Sequence, residues 1–312
     1  MKQFVLGIDV GGTNIKFGLV DQKGKIVDRS HLSTKECISH KEKLIDKLVR
    51  GCEEIIAKNK LSKENLRGIG IGLPGLINAK EGIVYSLTNI PGWKNVPLKR
   101  IIEKKLRVSV FIDNDVNVIT LGEWKKGAGK GKENMICITL GTGVGGGLVI
   151  KNKMYRGEGF AAGEIGHIPV QQAGRKCNCG GNGCLETLVG NRYLLQKAKR
   201  IFKKRDFSLE DVSKLACQGN RKAVQFWQQV GEQIGIGLTG VVNVLNPSCI
   251  VVGGGVANAY AHISGPMLET IQKRAMRVQG KMVKIKKSNL GPNAGIIGAQ
   301  ALVEEEIKFR AK

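Results

Sequence analysis

Two stretches 129 positions apart carry one signature. GTNIKFGLV (residues 12–20) and GTGVGGGLV (141–149) align without a gap, with five identities in nine. Each follows an apolar strand-like segment and opens on a glycine turn, so the chain builds the same kind of β-hairpin twice. A unit repeated nearly half a chain apart is expected to give two related domains, and 312 residues is ample for two of ordinary size.

The surrounding pattern alternates strand and helix. Residues 3–10, 15–21 and 25–33 read as a β-meander with turns at Gly11-Gly12 and Gln22-Lys23-Gly24. Ser39 is the expected cap of a helix reaching about Lys58, on which Leu44, Leu48, Cys52 and Ile55 share a face. Strands are expected at 66–73 and 108–112, the second feeding a helix that begins near Asp115. The second half restarts with a hairpin at 134–140 and 144–150. Helices at 192–202, 208–218 and 220–246 follow, then a strand at 249–253, a helix at 264–277 and a strand at 281–287. A last helix, 293–312, has Asn293 as its expected cap. The fold class is α/β.

Composition narrows the setting. No apolar run approaches the ~18 residues of a membrane span, and MKQFVLGIDVGGT enters a strand pattern with no signal-peptide architecture, so a cytoplasmic protein is expected. The net charge is +24, but aromatics are 5% and the lysines and arginines are spread from 41–67 to 273–287. Nucleic-acid readers gather charge on a reading module, so nucleic acid is not the expected partner; anionic small ligands such as nucleotides are. Five of the eight cysteines (Cys37, Cys52, Cys137, Cys217 and Cys249) lie among apolar neighbours and read as small buried hydrophobes.

The other three cysteines are clustered. HIPVQQAGRKCNCGGNGCLE (167–186) places Cys177, Cys179 and Cys184 in a glycine-rich loop after His167. Clustered thiols in a reducing compartment bind metal more often than they pair as disulfides. One imidazole and three thiolates complete a tetrahedral zinc set, and four protein ligands leave no position for an activated water, so such a zinc is structural.

Glycine turns close three strands: Asp9-Val-Gly-Gly-Thr13, Leu140-Gly-Thr-Gly-Val-Gly145 and Val252-Gly-Gly-Gly255. Successive backbone N–H groups in such turns make anion-binding concavities. None has the spacing of a P-loop or of a dinucleotide fingerprint. Three together, two with a hydroxyl residue (Thr13, Thr142), point to a nucleotide held between two domains. Asp9 ends an apolar strand, where a carboxylate needs a partner; beside a phosphate turn the expected partner is Mg²⁺, held through water. A carboxylate at a strand-to-helix junction is a candidate general base for a ligand bound beside it. The segment DNDVN (113–117) offers Asp113 and Asp115, and the residues alone leave both open.

LGIDVGGTNIKFGLVD, FIDNDVNVITLGEW, ITLGTGVGGGLV, GEIGH, CNCGGNGCLE and IVVGGGV, in this order, resemble the ROK family of sugar kinases and repressors across nearly the whole chain. The resemblance implies a two-domain actin-like ATPase (ribonuclease-H-like) fold with a duplicated βββαβαβα core and an inter-domain cleft. It divides the chain into a small domain of residues 1–113 plus 293–312 and a large one of 114–292. It makes Asp115 of Asn114-Asp115-Val116-Asn117 the catalytic base. It gives Asn89, Asn114, Glu164, His167 and Glu186 to the sugar, with His167 also a zinc ligand. Asp9, Gly11, Gly12, Thr13, Asn14, Gly141, Thr142 and Gly143 fall to Mg²⁺-ATP, and Gly253, Gly254 and Gly255 to its adenosine side. Trp93 of NIPGW reads as packing. The implied activity is ATP-dependent phosphorylation of glucose at its 6-hydroxyl, by a homodimer or homotetramer. The alternatives are an N-acetylmannosamine or N-acetylglucosamine kinase, and a sugar-responsive regulator without the usual helix-turn-helix.

Overall fold

The computed structural model describes residues 3–34, 40–87, 90 and 92–310. Two compact units emerge: Met1–Lys130 with Met154–Ala162 and Pro292–Lys312, and Gly131–Lys153 with Gly163–Gly291.

The first unit opens with the expected meander, β1 (Phe4–Val10), β2 (Asn14–Asp21) and β3 (Ile26–Ser33). Helix α1 (Lys41–Lys58) follows, with His40 at its N-cap and no side-chain cap bond; Ser39 lies outside the described residues. Then come β4 (Leu66–Leu73), the hairpin β5 (Gly75–Asn78) and β6 (Ile83–Leu87), α2 (Leu98–Leu106), β7 (Val110–Asn114) and α3 (Asp115–Lys125). The sheet order is β3-β2-β1-β4-β7, with β4 and β7 added parallel to β1. On one face Ile15, Phe17 and Leu19 of β2 join Leu44, Leu48 and Cys52 of α1 in a dry core. Each such aliphatic side chain contributes roughly 1.5–3 kcal/mol through burial.

The second unit repeats the arrangement. It contains β8 (Met135–Leu140) and β9 (Val144–Ile150), followed by β10 (Lys153–Tyr155), whose last two residues group with the first unit, then α4 (Glu186–Val189), α5 (Asn191–Phe202), α6 (Leu209–Cys217) and α7 (Arg221–Leu245). After these come β11 (Cys249–Gly253), α8 (Tyr260–Arg274), α9 (Arg277–Met282) and β12 (Lys284–Lys287). The order β10-β9-β8-β11-β12, with β11 parallel to β8 and β12 parallel to β11, is that of the first sheet. Helix α6 starts on a capping box of Ser208 and Asp211, and Asn220 caps α7. The last helix, α10 (Ala294–Arg310), belongs to the first unit, where it packs on β1, β4 and α3.

Glycines let α10 in. A Cβ on Gly7 of β1 would sit 2.5 Å from the Ile296 carbonyl oxygen, and one on Gly70 of β4 would overlap the Ala299 carbonyl. A Cβ on Gly122 of α3 would lie 2.9 Å from the Ala294 carbonyl oxygen, and one on Gly298 would overlap the Val118 carbonyl. The helix therefore lies on bare backbone at four points.

Several expectations need correction. The units divide at Lys130 and not at 113/114, because α3 packs on α10, β4 and β7, and Met154–Ala162 groups with the first unit too. The β5–β6 hairpin and α2 were not foreseen. Helix α8 starts at Tyr260, four residues before the expected 264, and carries Pro266 inside it. The expected strand 281–287 is cut to β12: KMVKIKK nearly alternates, but Gly280 packs against α8, with a Cβ there only 3.3 Å from Gln272 Cα, and the chain turns helical through Met282. Asn293 precedes α10, yet its buried Oδ1 accepts no hydrogen bond, so it is not a side-chain cap. Among the described residues no helix is long and apolar enough to cross a membrane.

Gly298→Ala tests the bare contact. The added methyl must push α10 off α3, and overpacking of this kind costs about 1–3 kcal/mol or more. Urea unfolding should show that loss; wild-type stability would mean that α10 sits less tightly than described.

Candidate active site and metal centre

In the first unit the candidate groups gather at the C-terminal ends of β1 and β7. Asp9 is mostly buried, its side chain 17% exposed, and Lys16 Nζ lies 3.4 Å from its Oδ2. A Cβ on Gly295 would come within 2.5 Å of Asp9 Cγ, so the first turn of α10 abuts this carboxylate. The following turn is held by Gly11 N–H to Asn14 O (2.9 Å), Thr34 N–H to Thr13 O (2.9 Å) and Thr34 Oγ1–H to Gly12 O (2.9 Å). Gly12, Thr13 and Asn14 stay exposed. A Cβ on Gly12 would meet nothing within 4 Å, and its φ is not left-handed, so the folded chain does not itself demand glycine there.

The DNDVN segment resolves the two aspartates into different environments. Asp113 belongs to β7 and is fully buried. Its Oδ1 accepts from Asn114 N–H (2.8 Å) and Asn117 Nδ2 (3.0 Å), and its Oδ2 from Arg156 Nε at 2.7 Å. Burial works against the Arg156 charge, but the attraction of Asp113 and their hydrogen bond hold its pKa above the ordinary arginine value. Asn114 is the N-cap of α3: its Oδ1 accepts from Val116 N–H (2.9 Å) and Asn117 N–H (3.2 Å), while its Nδ2 donates to Gly75 O (3.1 Å). Asp115 is the first residue of α3 and half-buried, with Val116 N–H donating to its Oδ1 at 2.9 Å. The helix N-terminus favours its ionised form.

In the second unit, His167, Cys177, Cys179 and Cys184 place their ligand atoms within 4.8 Å of one another. Cys177 Sγ is 3.6 Å from His167 Nδ1, and Cys179 Sγ is 3.6 Å from Cys184 Sγ. That is far too long for a disulfide and close to the ~3.8 Å edge of a tetrahedron with metal–sulfur bonds of about 2.3 Å. The loop is knit by Cys177 N–H to Gly181 O (2.8 Å) and Leu185 N–H to Ile168 O (2.9 Å). The Gly181 backbone lowers the Cys179 pKa toward the thiolate that a metal needs.

Two acids flank this cluster. His167 turns Nε2 toward Glu164, 3.8 Å from its Oε2, so one ring faces the metal set and an exposed carboxylate at once. The 164–167 turn sits on β9, where a Cβ on Gly166 would overlap the Val144 carbonyl. Glu186, at the start of α4, accepts from Val144 N–H at 2.9 Å. A Cβ on Gly143 would lie 2.5 Å from Glu186 Oε2, and Asn191 N–H holds Gly141 O at 2.9 Å. The Gly141-Thr142-Gly143 turn and Glu186 are thus one construction. Gly141, like Gly12, has open space where a Cβ would be. Gly254 differs: its φ of 84° and the Leu140 carbonyl require glycine, whereas Gly255 is open and Gly253 is loosely packed. Asn89 lies outside the described residues. Trp93 is buried in the first unit's core, as expected for packing.

The ROK family profile matches residues 5–306. The chain belongs to the ROK family. It is 34% identical to a glucokinase of Halalkalibacterium halodurans over 97% of this chain and 96% of that one. It is 32% identical to the xylose repressor of Bacillus subtilis, covering 96% of this chain and 77% of the repressor. Among solved structures, a ROK family glucokinase from Streptomyces griseus, in complex with glucose and AMPPNP, superimposes with a TM-score of 0.82 at 30% identity, over 97% and 99% of the two chains. The fold of this ROK protein is the two-domain actin-like, ribonuclease-H-like one, with its meander-plus-two-parallel-strands core present twice.

Sequence reasoning missed Arg156, which sits in MYRGEGFAAGE without a motif. The signal was indirect: a carboxylate at position 113, inside an apolar strand, needs a buried cation.

Cys179→Ser removes one of four ligands. The wild type should take up one cobalt(II) ion with a tetrahedral visible band, and the variant should not. An unchanged spectrum would show that these side chains are not the metal site.

Proposed function

We infer that this ROK protein is an ATP-dependent sugar kinase, and propose that its sugar is glucose, phosphorylated at the 6-hydroxyl. The observation that carries the reading is the end-to-end match with the glucose- and AMPPNP-bound glucokinase, joined to an intact Asn-Asp-x-Asn at the start of α3. Free thiols and ATP both fit a cytoplasmic address.

In this reading Asp115 takes the proton of the sugar hydroxyl as its oxygen bonds to the γ-phosphorus of ATP, and the bond to the β–γ bridging oxygen breaks to release ADP. A positioned base of this kind contributes on the order of 10²–10⁴ in rate. Glu164, His167 and Glu186 accept or donate hydrogen bonds to the sugar's other hydroxyls, with Asn114 and Asn89 alongside. Acceptors fixed in direction discriminate hydroxyl isomers strongly, because a mismatched sugar leaves them unpaired. Gly12 and Gly141, open and unconstrained in the folded chain, let the phosphates approach backbone N–H groups, with Gly11, Thr13, Asn14, Thr142 and Gly143 around them. Gly253, Gly254 and Gly255 lie on the adenosine side. Asp9 would hold Mg²⁺, which when bound neutralises phosphate charge. Zinc on His167, Cys177, Cys179 and Cys184 would fix the loop that ends in Glu186 and the ring that faces Glu164.

Asp115→Asn should bind glucose within about threefold of wild type, by calorimetry, while turnover falls at least about 10²-fold in an ADP-release assay. Near-normal turnover would place the base elsewhere. Gly12→Ala and Gly141→Ala should keep the wild-type melting temperature yet raise the KM for ATP about tenfold or more, since the methyl lies where a phosphate would approach. An ATP KM unmoved in both would remove the phosphate role from these turns. The sugar is set by running glucose, mannose, fructose, N-acetylglucosamine and N-acetylmannosamine side by side; preference for an N-acetyl sugar would overturn glucose.

A further inference from the structure

We propose that Arg156 is a positioning residue for Asp115, acting through the buried carboxylate of Asp113. The proposal rests on the reading of Asp115 as the base.

Asp113 uses its two oxygens for two tasks. Oδ1 accepts from the backbone of Asn114 and the side chain of Asn117, the two asparagines that bracket Asp115. Oδ2 is held by Arg156 Nε at 2.7 Å. Fixing Oδ2 fixes the plane of the carboxylate, and with it the direction in which Oδ1 meets the motif. Asn114 then caps α3 through Val116 and Asn117, so the helix begins at one defined angle, and Asp115 is its first residue. Five hydrogen bonds therefore connect the guanidinium to the orientation of the base.

Stability alone does not account for this ion pair. Replacing a buried pair by apolar groups is often neutral or stabilising. Here the guanidinium is also under-used: Arg156 Nη2 is buried with no hydrogen-bond partner among the described residues, which costs stability. The backbone around it is constrained as well. Ala162 N–H closes on Arg156 O at 3.0 Å, and Phe160 takes a left-handed φ of 59°, which non-glycine residues seldom adopt. Cost of this kind collects where geometry serves function. The segment Met154–Ala162 is also the part of the chain that leaves the second sheet's run, groups with the first unit, and leads directly to Glu164.

The test compares Arg156→Met, Arg156→Lys and the neutral double variant Asp113→Asn/Arg156→Met in the full chain. Arg156→Met should lower kcat at least about 30-fold with KM for sugar and ATP within about threefold, because displacement of a catalytic group by about 1 Å can cost 10²-fold. Arg156→Lys, which keeps the charge, should recover part of kcat. The double variant buries no unpaired charge, so it serves if Arg156→Met fails to fold, and it should lose kcat to a similar degree. A folded variant with kcat near wild type, or a loss confined to KM, overturns the proposal. Hydrogen exchange needs no turnover: amide protection at Asn114–Asn117 should fall about tenfold in either Met variant, and unchanged protection overturns the proposal too. Wild-type protein inactive on every sugar would instead sink the kinase reading and leave the exchange result to decide this one.

Discussion

The contact of α10 with bare backbone sets the geometry of the first unit. Its helix axis is defined by carbonyls lying against Gly7 and Gly70 of the sheet and by the Gly122–Gly298 approach to α3. One helix thereby locates two carboxylates. Gly295 in its first turn abuts Asp9, and α3, whose first residue is Asp115, is pressed along its length. Close packing transmits displacement because interiors have little free volume to absorb it. The distance from the end of β1 to the start of α3 is therefore not adjustable by loop movement, as a site on two independent loops would be.

The second unit reaches the same end by different means. Its candidate acids lie on short turns with little core of their own, and polar ties replace packing. Glu186 is tied to Val144 N–H, and Glu164 shares its turn with His167, whose ring also faces three thiols. A metal there would convert an irregular loop into a rigid one at low cost in residues. This explains why Gly143 and Gly166, which look in the sequence like parts of phosphate or flexible loops, are required by neighbours inside the unit. Gly12 and Gly141 are not required in this way. The distinction separates glycines that serve the fold from those available to a ligand.

Much of the architecture was legible because period and punctuation agreed with it. The first meander, α1, β4, α7 and β11 fall within a residue or two of expectation, since alternation, helical spacing and glycine turns all pointed the same way. That one imidazole and three thiols would gather was legible from residue type and spacing. What escaped depended on distant partners. The short β5–β6 hairpin owes its shape to Gly75, where a Cβ would overlap the Ser86 carbonyl, a contact eleven residues away. Positions 281–283 read as strand, but Gly280 packs on α8 and the chain stays helical through Met282. Arg156 was invisible because its meaning lies 43 residues away, in the burial of Asp113. The choice between Asp113 and Asp115 could not be made from the strand boundary either, since β7 runs two residues past its expected end and carries Asp113 into the core.

The two halves are duplicates in topology but not in chemistry. The closing pair of the first hairpin is Val10 with Ile15, and of the second Leu140 with Val144, so the second turn is one residue shorter. An offset of 129 holds for β2 and β9, where the sequence repeat was seen; through the pairing it becomes 130 for β1 and β8. Under that register Thr139 occupies the place of Asp9, and Gly145 that of Lys16. The first turn therefore presents an acid and a base beside its open glycine, and the second a neutral hydroxyl with Glu186 supplied from another segment. The shorter turn is the one that closes over Glu186, whose Oε2 accepts from Val144 N–H.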